Sequence, residues 1–277
     1  MVTDRLAPSL YWRPTLNHNQ PKPSRRLILL GASNLSRSFP TVVATAHATW
    51  REPVEIMAAM GHGRSYGEDT TLFGRKISGI FPCALWQDLQ NRPAMPTTAF
   101  VTDIGNDLLF GVAPDRLLKW VASCLDRLAE HGAEVTVTQL PIENVERLSE
   151  ARFQFYRWLF FPRSRMTLDD VRKLARSFNE QLIQLGVARK ISVIPVSRAW
   201  YGLDPIHLQR RKLRHAWPSM FASWRAADVP EFMARSPWWT AAYLSTLAPY
   251  ERRFFGVLRR AAQPSGVLVD GTTISLY

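Results

Sequence analysis

The sequence predicts an α/β protein built on a doubly wound, mostly parallel sheet of five strands, with a helical extension toward the C-terminus. Two observations carry this. Short apolar runs recur between turn-forming residues, and amphipathic helical patterns separate them. The runs are Arg26–Leu30 closed by Gly31, Pro53–Met60 ending at Gly61, Thr97–Asp103 before Gly105, Glu134–Leu140 ending at Pro141, and Ile191–Val196 near Ser197. Their near-continuous apolar character suits parallel strands buried on both faces.

Two helices are justified residue by residue. Asp115–Glu130 places Leu117, Leu118, Val121, Leu125 and Leu128 on one face, begins after Pro114 and is stopped by Gly132. Leu168–Leu185 repeats the pattern, with Thr167 as N-cap and Gly186 as terminator. Right-handed crossovers between such strands gather chemistry at the strands' carboxyl ends.

Around this core, residues 1–24 are polar and proline-rich and read as an arm. Residues 25–210 form the main domain, and residues 211–277 a basic, Trp-rich helical extension and tail packed on it. In that extension Arg210, Arg211, Lys212, Arg214 and Arg225 interleave with Trp217, Phe221 and Trp224. Trp238 and Trp239 follow Pro237, and Gly266–Tyr277 is strand-like. Aromatic residues at this spacing read first as core packing.

Composition excludes several classes. With 46% hydrophobic and 21% charged residues, the chain of 277 is an ordinary globular sequence. No apolar run reaches the ~18 residues of a membrane span. The first twenty residues lack an apolar signal core, so a cytoplasmic location is expected. Cys83 and Cys124 stand apart and read as buried free thiols. His18, His47, His131 and His215 show no ligand spacing, so no metal is expected. The net charge of +12 comes mainly from arginine, scattered through the chain, with lysine only at Lys22, Lys76, Lys119, Lys173, Lys190 and Lys212. Scattered charge without a recognition motif reads as solvated surface, so nucleic acid is not an expected partner.

Three strand ends carry chemistry. The first delivers Gly31-Ala32-Ser33-Asn34-Leu35-Ser36, the third Thr102-Asp103-Ile104-Gly105-Asn106-Asp107. The segment after the fifth holds Asp204-Pro205-Ile206-His207. Ser33 on a strand-to-helix turn is either an N-cap or a nucleophile. Asn106 can donate an amide N–H to a developing oxyanion, or serve a local turn. Asp204 is spaced to reach His207 Nδ1, leaving Nε2 to accept a proton.

Together these blocks resemble the SGNH (GDSL-type) hydrolase superfamily, across roughly residues 26–210. Ser33 matches the first block, Asn106 the third, and Asp204 with His207 the last. The second block supplies an oxyanion glycine. Gly67, before Glu68, Asp69 and Thr70, is the better match and Gly63 the second. The resemblance implies a three-layer α/β/α, flavodoxin-like sandwich and hydrolysis of a small-molecule, glycan or lipid ester, without cofactor. Ser33 would be nucleophile, His207 base and Asp204 its orienting acid, with oxyanion donors from Ser33, Gly67 and Asn106. His62, Gly63 and Asn34 are candidate substrate contacts.

The sequence departs from the family pattern in three places: Ala32 where an aspartate is usual, Asn34 where a leucine is usual, and Ile104 where a glycine is common. A competing motif, Gly63-Arg64-Ser65-Tyr66-Gly67, matches the G-x-S-x-G nucleophile elbow, but leaves Ser33 and Asn106 unexplained. Two other readings share the residues: an O-acyltransferase using the same site, and a non-catalytic protein binding an anionic partner through the Trp-rich extension. Peripheral membrane contact has no sequence signal, and oligomeric state has none either.

Overall fold

The computed structural model describes residues 21–72, 74–162, 164–224 and 237–277. Most of the predicted arm, His18 and Arg225 lie outside the described residues. In chain order the strands are β1 Arg25–Leu30, β2 Val54–Ala59, β3 Thr70–Leu72, β4 Arg75–Ile77, β5 Thr97–Val101, β6 Glu134–Thr138, β7 Ser192–Ile194, β8 Glu251–Phe254, β9 Val257–Arg260, β10 Gly266–Val267 and β11 Thr273–Leu276. The helices are α1 Ser33–Trp50, α2 Leu85–Gln90, α3 Asn106–Leu109, α4 Pro114–Glu130, α5 Ile142–Glu146, α6 Glu150–Phe160, α7 Leu168–Arg189, α8 Leu213–Met220 and α9 Trp238–Thr246.

All five predicted strands are present, in the order β2-β1-β5-β6-β7 and all parallel. This is the doubly wound order expected of a flavodoxin-like sheet. The sheet is wider than predicted, because the strand-like tail joins it: β11 lies parallel to β2, and β10 runs antiparallel outside it. A second, four-stranded antiparallel sheet, β3-β4-β8-β9, was not anticipated.

Alternation along β1 explains the layering. Ile28 and Leu30 join one core with Leu85, Leu117, Val121 and Phe178, on the side of α2, α4 and α7. Leu27 and Leu29 join another with Leu35, Phe39, Val42 and Trp217, on the side of α1 and α8. Strand register is pinned by charge as well: Arg26 stands opposite Glu55 and donates to it at 2.5 Å, both buried.

Thr167 caps α7 as predicted, in a reciprocal capping box with Asp170. Gly186 does not end that helix, which continues to Arg189 and stops at Lys190 in the left-handed region. A glycine is needed at 186 for a different reason. A Cβ there would meet Val193 Cγ2 at 2.3 Å, so its absence lets α7 lie on β7. In the extension, Trp217 and Phe221 are buried and meet Phe100 at 5.4 and 5.5 Å between ring centroids. Trp238 and Trp239 are exposed. No described helix is long and apolar enough to cross a membrane. Both cysteines are free and buried.

Candidate active site

Helix α1 begins with a problem that its own sequence cannot solve. Ala32, at the N-cap, has no side-chain acceptor for the N–H groups of the first turn. Asp103, at the end of β5, supplies one from across the sheet. Its Oδ2 accepts the N–H of Ala32 and Asn34 at 2.9 Å and that of Leu35 at 3.2 Å. Its charge also sits favourably at the helix N-terminus. Asp103 adopts φ 61°, a left-handed conformation that aspartate tolerates better than most residues. This is the functional residue that sequence reasoning missed. Ala32 stands where the resembled pattern has an aspartate, and Asp103 provides a carboxylate to the same turn from beyond a different strand.

The first turn then has one N–H left over. Asn34 and Leu35 donate to Asp103, and Ser36 N–H to Ala32 O at 3.1 Å. The N–H of Ser33 is donated to no partner among the described residues.

Asn34 ties this turn to the loop carrying His207. Its amide donates to Asp103 Oδ1 at 2.8 Å and to Ile206 O at 3.0 Å, while its oxygen accepts Leu208 N–H at 2.8 Å. These three hydrogen bonds hold the two segments together. Asn34→Leu, the residue usual in the family, would leave Leu208 N–H and Ile206 O unpaired. The expected result is a loss of about 2–4 kcal/mol in stability, with turnover falling roughly tenfold or more as the loop shifts. Denaturant melts beside steady-state kinetics check both numbers.

The His207 loop is closed by an antiparallel bridge between Tyr201 and Leu208. Asp204 shapes it from within: Oδ1 accepts the N–H of Ile206 at 2.9 Å and of His207 at 3.1 Å, a turn of the kind aspartate favours. Its other oxygen, Oδ2, is 2.7 Å from His207 Nδ1. Burial pushes the Asp204 carboxyl up, but the His207 hydrogen bond, its charge and the two backbone donors outweigh this and hold it below the usual range. The second ring nitrogen, Nε2, is 3.0 Å from Ser33 Oγ. A proton on Nδ1, facing the carboxylate, leaves Nε2 free to accept from the hydroxyl. Phe160 from α6 meets the imidazole edge-on at 5.3 Å between centroids.

The remaining candidates divide. Asn106, first residue of α3, lines a narrow apolar cavity of about 130 Å³ together with Asn34 and Asp103. Its side-chain amide is donated to no described residue. Leu140, Phe153 and Phe161 also line the cavity. His62 is exposed in the turn after β2. Desolvation first, then the charges of His207, Arg37 and Arg75, hold its imidazole below the usual range, with Asp103 opposing. Gly63 takes φ 65° in the same turn, with open space around it.

Gly67, the expected oxyanion glycine, has its N–H engaged within its own loop. Its N–H is already donated to Ser65 Oγ at 3.1 Å, and a Cβ there would fall 2.1 Å from the Trp120 ring. The glycine at 67 permits close packing with Trp120. The N–H groups of Gly61, His62 and Gly63 have no such commitment among the described residues.

Ser65, the competing nucleophile, is 1% exposed. Its hydroxyl donates to Asp107 Oδ1 and accepts the N–H of Gly67 and of Glu68 at 2.9 Å. Asp107 also accepts Tyr66 N–H at 3.0 Å, and burial pushes its carboxyl up to about 6 against those hydrogen bonds. The arrangement folds the second-strand loop and has no histidine in it. Ser65→Ala is expected to cost about 1–3 kcal/mol by unpairing Asp107 and two N–H groups, with the activity of the Ser33 site largely retained. A lower thermal midpoint with near-normal kcat is the sign to look for.

No protein-family model matches the chain, and no curated protein matches it in sequence. Among solved structures, the chain is similar to the psychrotrophic esterase EstA from Pseudoalteromonas sp., at 10% identity and TM-score 0.47, over 72% of this chain and 95% of that one. It is similar to the acetyl xylan esterase AlAXEase at 15% identity and TM-score 0.46, over 72% and 98%. A GDSL-like lipase from Bacteroides thetaiotaomicron aligns at 13% identity and TM-score 0.43, over 72% and 84%. At such distances, what the site does has to be read from its own residues.

Proposed function

We propose that the protein is a serine esterase, hydrolysing an acyl ester through Ser33, His207 and Asp204. The observation that carries this is the unbroken hydrogen-bonded run from Asp204 Oδ2 through His207 to Ser33 Oγ, at 2.7 and 3.0 Å. His207 Nε2 takes the Ser33 proton as Oγ attacks the ester carbonyl, and returns it to the leaving alcohol. Water, deprotonated by the same nitrogen, then releases the acyl group. Asp204 keeps the imidazole in the productive tautomer and stabilises its charged form.

Negative charge that develops on the carbonyl oxygen meets the Ser33 N–H, which the helix end leaves over, and the Asn106 amide. Each such donor is worth ~2.7–4 kcal/mol of barrier. Gly67 is spent on Ser65, so a glycine donor falls to the Gly61–Gly63 turn, which carries the second family match. The apolar cavity beside Asn106 receives the acyl chain, and its narrowness favours short ones.

A fluorophosphonate probe tests the reading directly. Labelling of Ser33 in the native protein, lost in Ser33→Ala and kept in Ser65→Ala, is the expected pattern. A screen of p-nitrophenyl esters should then peak at short acyl chains. No labelling at Ser33 in folded protein would remove the esterase reading and return the site to a binding role.

A further inference from the structure

A second cavity of about 620 Å³ adjoins the site and shares Gly61 and His62, in the turn after β2, with it. Its walls come from the first turns of α1, the turn after β2 and the unanticipated antiparallel sheet. Ser36 and Arg37 line it just beyond Ser33, and His62 lines it while lying within electrostatic reach of His207 and Asp103. From the small sheet come Arg75, Arg252 and Arg253.

Among the described residues, no carboxylate pairs with Arg37, Arg75, Arg252 or Arg253. The two side-chain carboxylates that line the cavity are already paired, Asp69 with Lys76 at 2.8 Å and Glu251 with Arg260 at 3.0 Å. Register makes the imbalance worse. Lys76 stands opposite Arg253, and Arg252 opposite Arg259, where like charges directly across an antiparallel ladder are destabilising. Arg75 is half-buried, and burial together with the nearby Arg252 lowers its basicity. A sheet so arranged is short of negative charge.

We infer that this cavity is an anion subsite, holding a phosphate-class group on the part of the ester substrate remote from the reacting carbonyl. Arg75 and Arg252, close enough for each charge to act on the other, suit with Arg37 a multiply charged tetrahedral anion, whose oxygens accept guanidinium N–H forks in pairs. The inference rests on the esterase reading for its substrate, but not for its binding. It names a phosphorylated acyl ester, and the phosphate could belong to a soluble metabolite or to a lipid headgroup.

Binding is measured by calorimetry on Ser33→Ala protein, so that nothing turns over. The probes are 1-butyrylglycerol 3-phosphate and neutral 1-butyrylglycerol. The phosphorylated ester should bind about ten- to a hundredfold more tightly, an advantage that shrinks as salt screens it. Arg75→Ala/Arg252→Ala should bring the two affinities together. Arg37→Ala, on an exposed helical position, gives a second variant if the double one melts early. Equal affinity for the two esters in the folded parent overturns the subsite, whatever the fluorophosphonate result at Ser33. Failed labelling with phosphate-dependent binding intact would remove the esterase reading alone. In native protein, faster release of butyrate from 1-butyryl-2-oleoylglycerol 3-phosphate in phosphatidylcholine vesicles than from the soluble 1-butyryl ester would assign the anion to a lipid headgroup. The reverse order would assign it to a soluble metabolite.

Discussion

Asp204→Asn should leave the fold nearly intact while lowering kcat by about 10⁴, the cost measured for the equivalent change in a serine protease triad. The physical reason is the 2.7 Å contact with His207 Nδ1. An amide there can turn its N–H toward the ring, which then places its proton on Nε2, facing Ser33. The hydroxyl loses its acceptor. His207→Ala should cost at least as much, and Ser33→Ala should reduce hydrolysis to the residue left by oxyanion donors and binding. The double variant Asp204→Asn/His207→Ala should be hardly slower than the worse single, because the groups act as one unit. Kinetics and thermal midpoints for the singles and the double decide the matter. Multiplicative losses, or a stability defect with normal turnover, would mean that Asp204 merely caps its turn.

The second large effect is expected at Asp103. Asp103→Ala unpairs the N–H groups of Ala32, Asn34 and Leu35 and one amide hydrogen of Asn34. Hydrogen bonds to a charged acceptor are worth about 1.5–3 kcal/mol each and do not add, so a stability loss of about 3–4 kcal/mol is expected. Turnover should fall about a hundredfold as well, since the turn that aims Ser33 relaxes by a fraction of an ångström or more. Asp103→Asn keeps one acceptor and should fall between. A melt and a kcat measurement on both variants test this. If Asp103→Ala melted normally, the carboxylate would not be what holds the nucleophile turn.

These two residues show what was legible in the sequence and what was not. Asp204 and His207 lie three apart on one loop, so their meeting is local and the spacing alone suggests it. The five parallel strands were legible because β1, β2 and β5 are buried nearly end to end, which leaves unbroken apolar runs. The partnership of Asp103 with α1 spans some seventy positions and depends on a left-handed residue, neither of which leaves a local pattern. The small sheet was invisible for a different reason. Thr70–Leu72 and Arg75–Ile77 are three residues each, and Val257–Arg260 is exposed throughout, so no alternation marks them. Gly67 misled because its sequence context matches a family block, while its N–H is captured locally by a serine two residues earlier.

The place of β11 has a consequence for how the chain is made. Thr272, at its foot, accepts the N–H of Val54 from 218 positions away, and β11 alone separates β2 from the outermost strand. On the ribosome, β1, β2 and β5 can pair soon after they emerge, yet the outer edge of β2 must wait until residues 273–276 have been made. Until then Val54, Ile56 and Ala58 flank a row of unpaired backbone groups, the kind of edge onto which another nascent chain can add. The late strand therefore acts as a cover for an early one, and ribosome stalling before residue 273 would leave a growing protein whose core is largely built and whose edge is open.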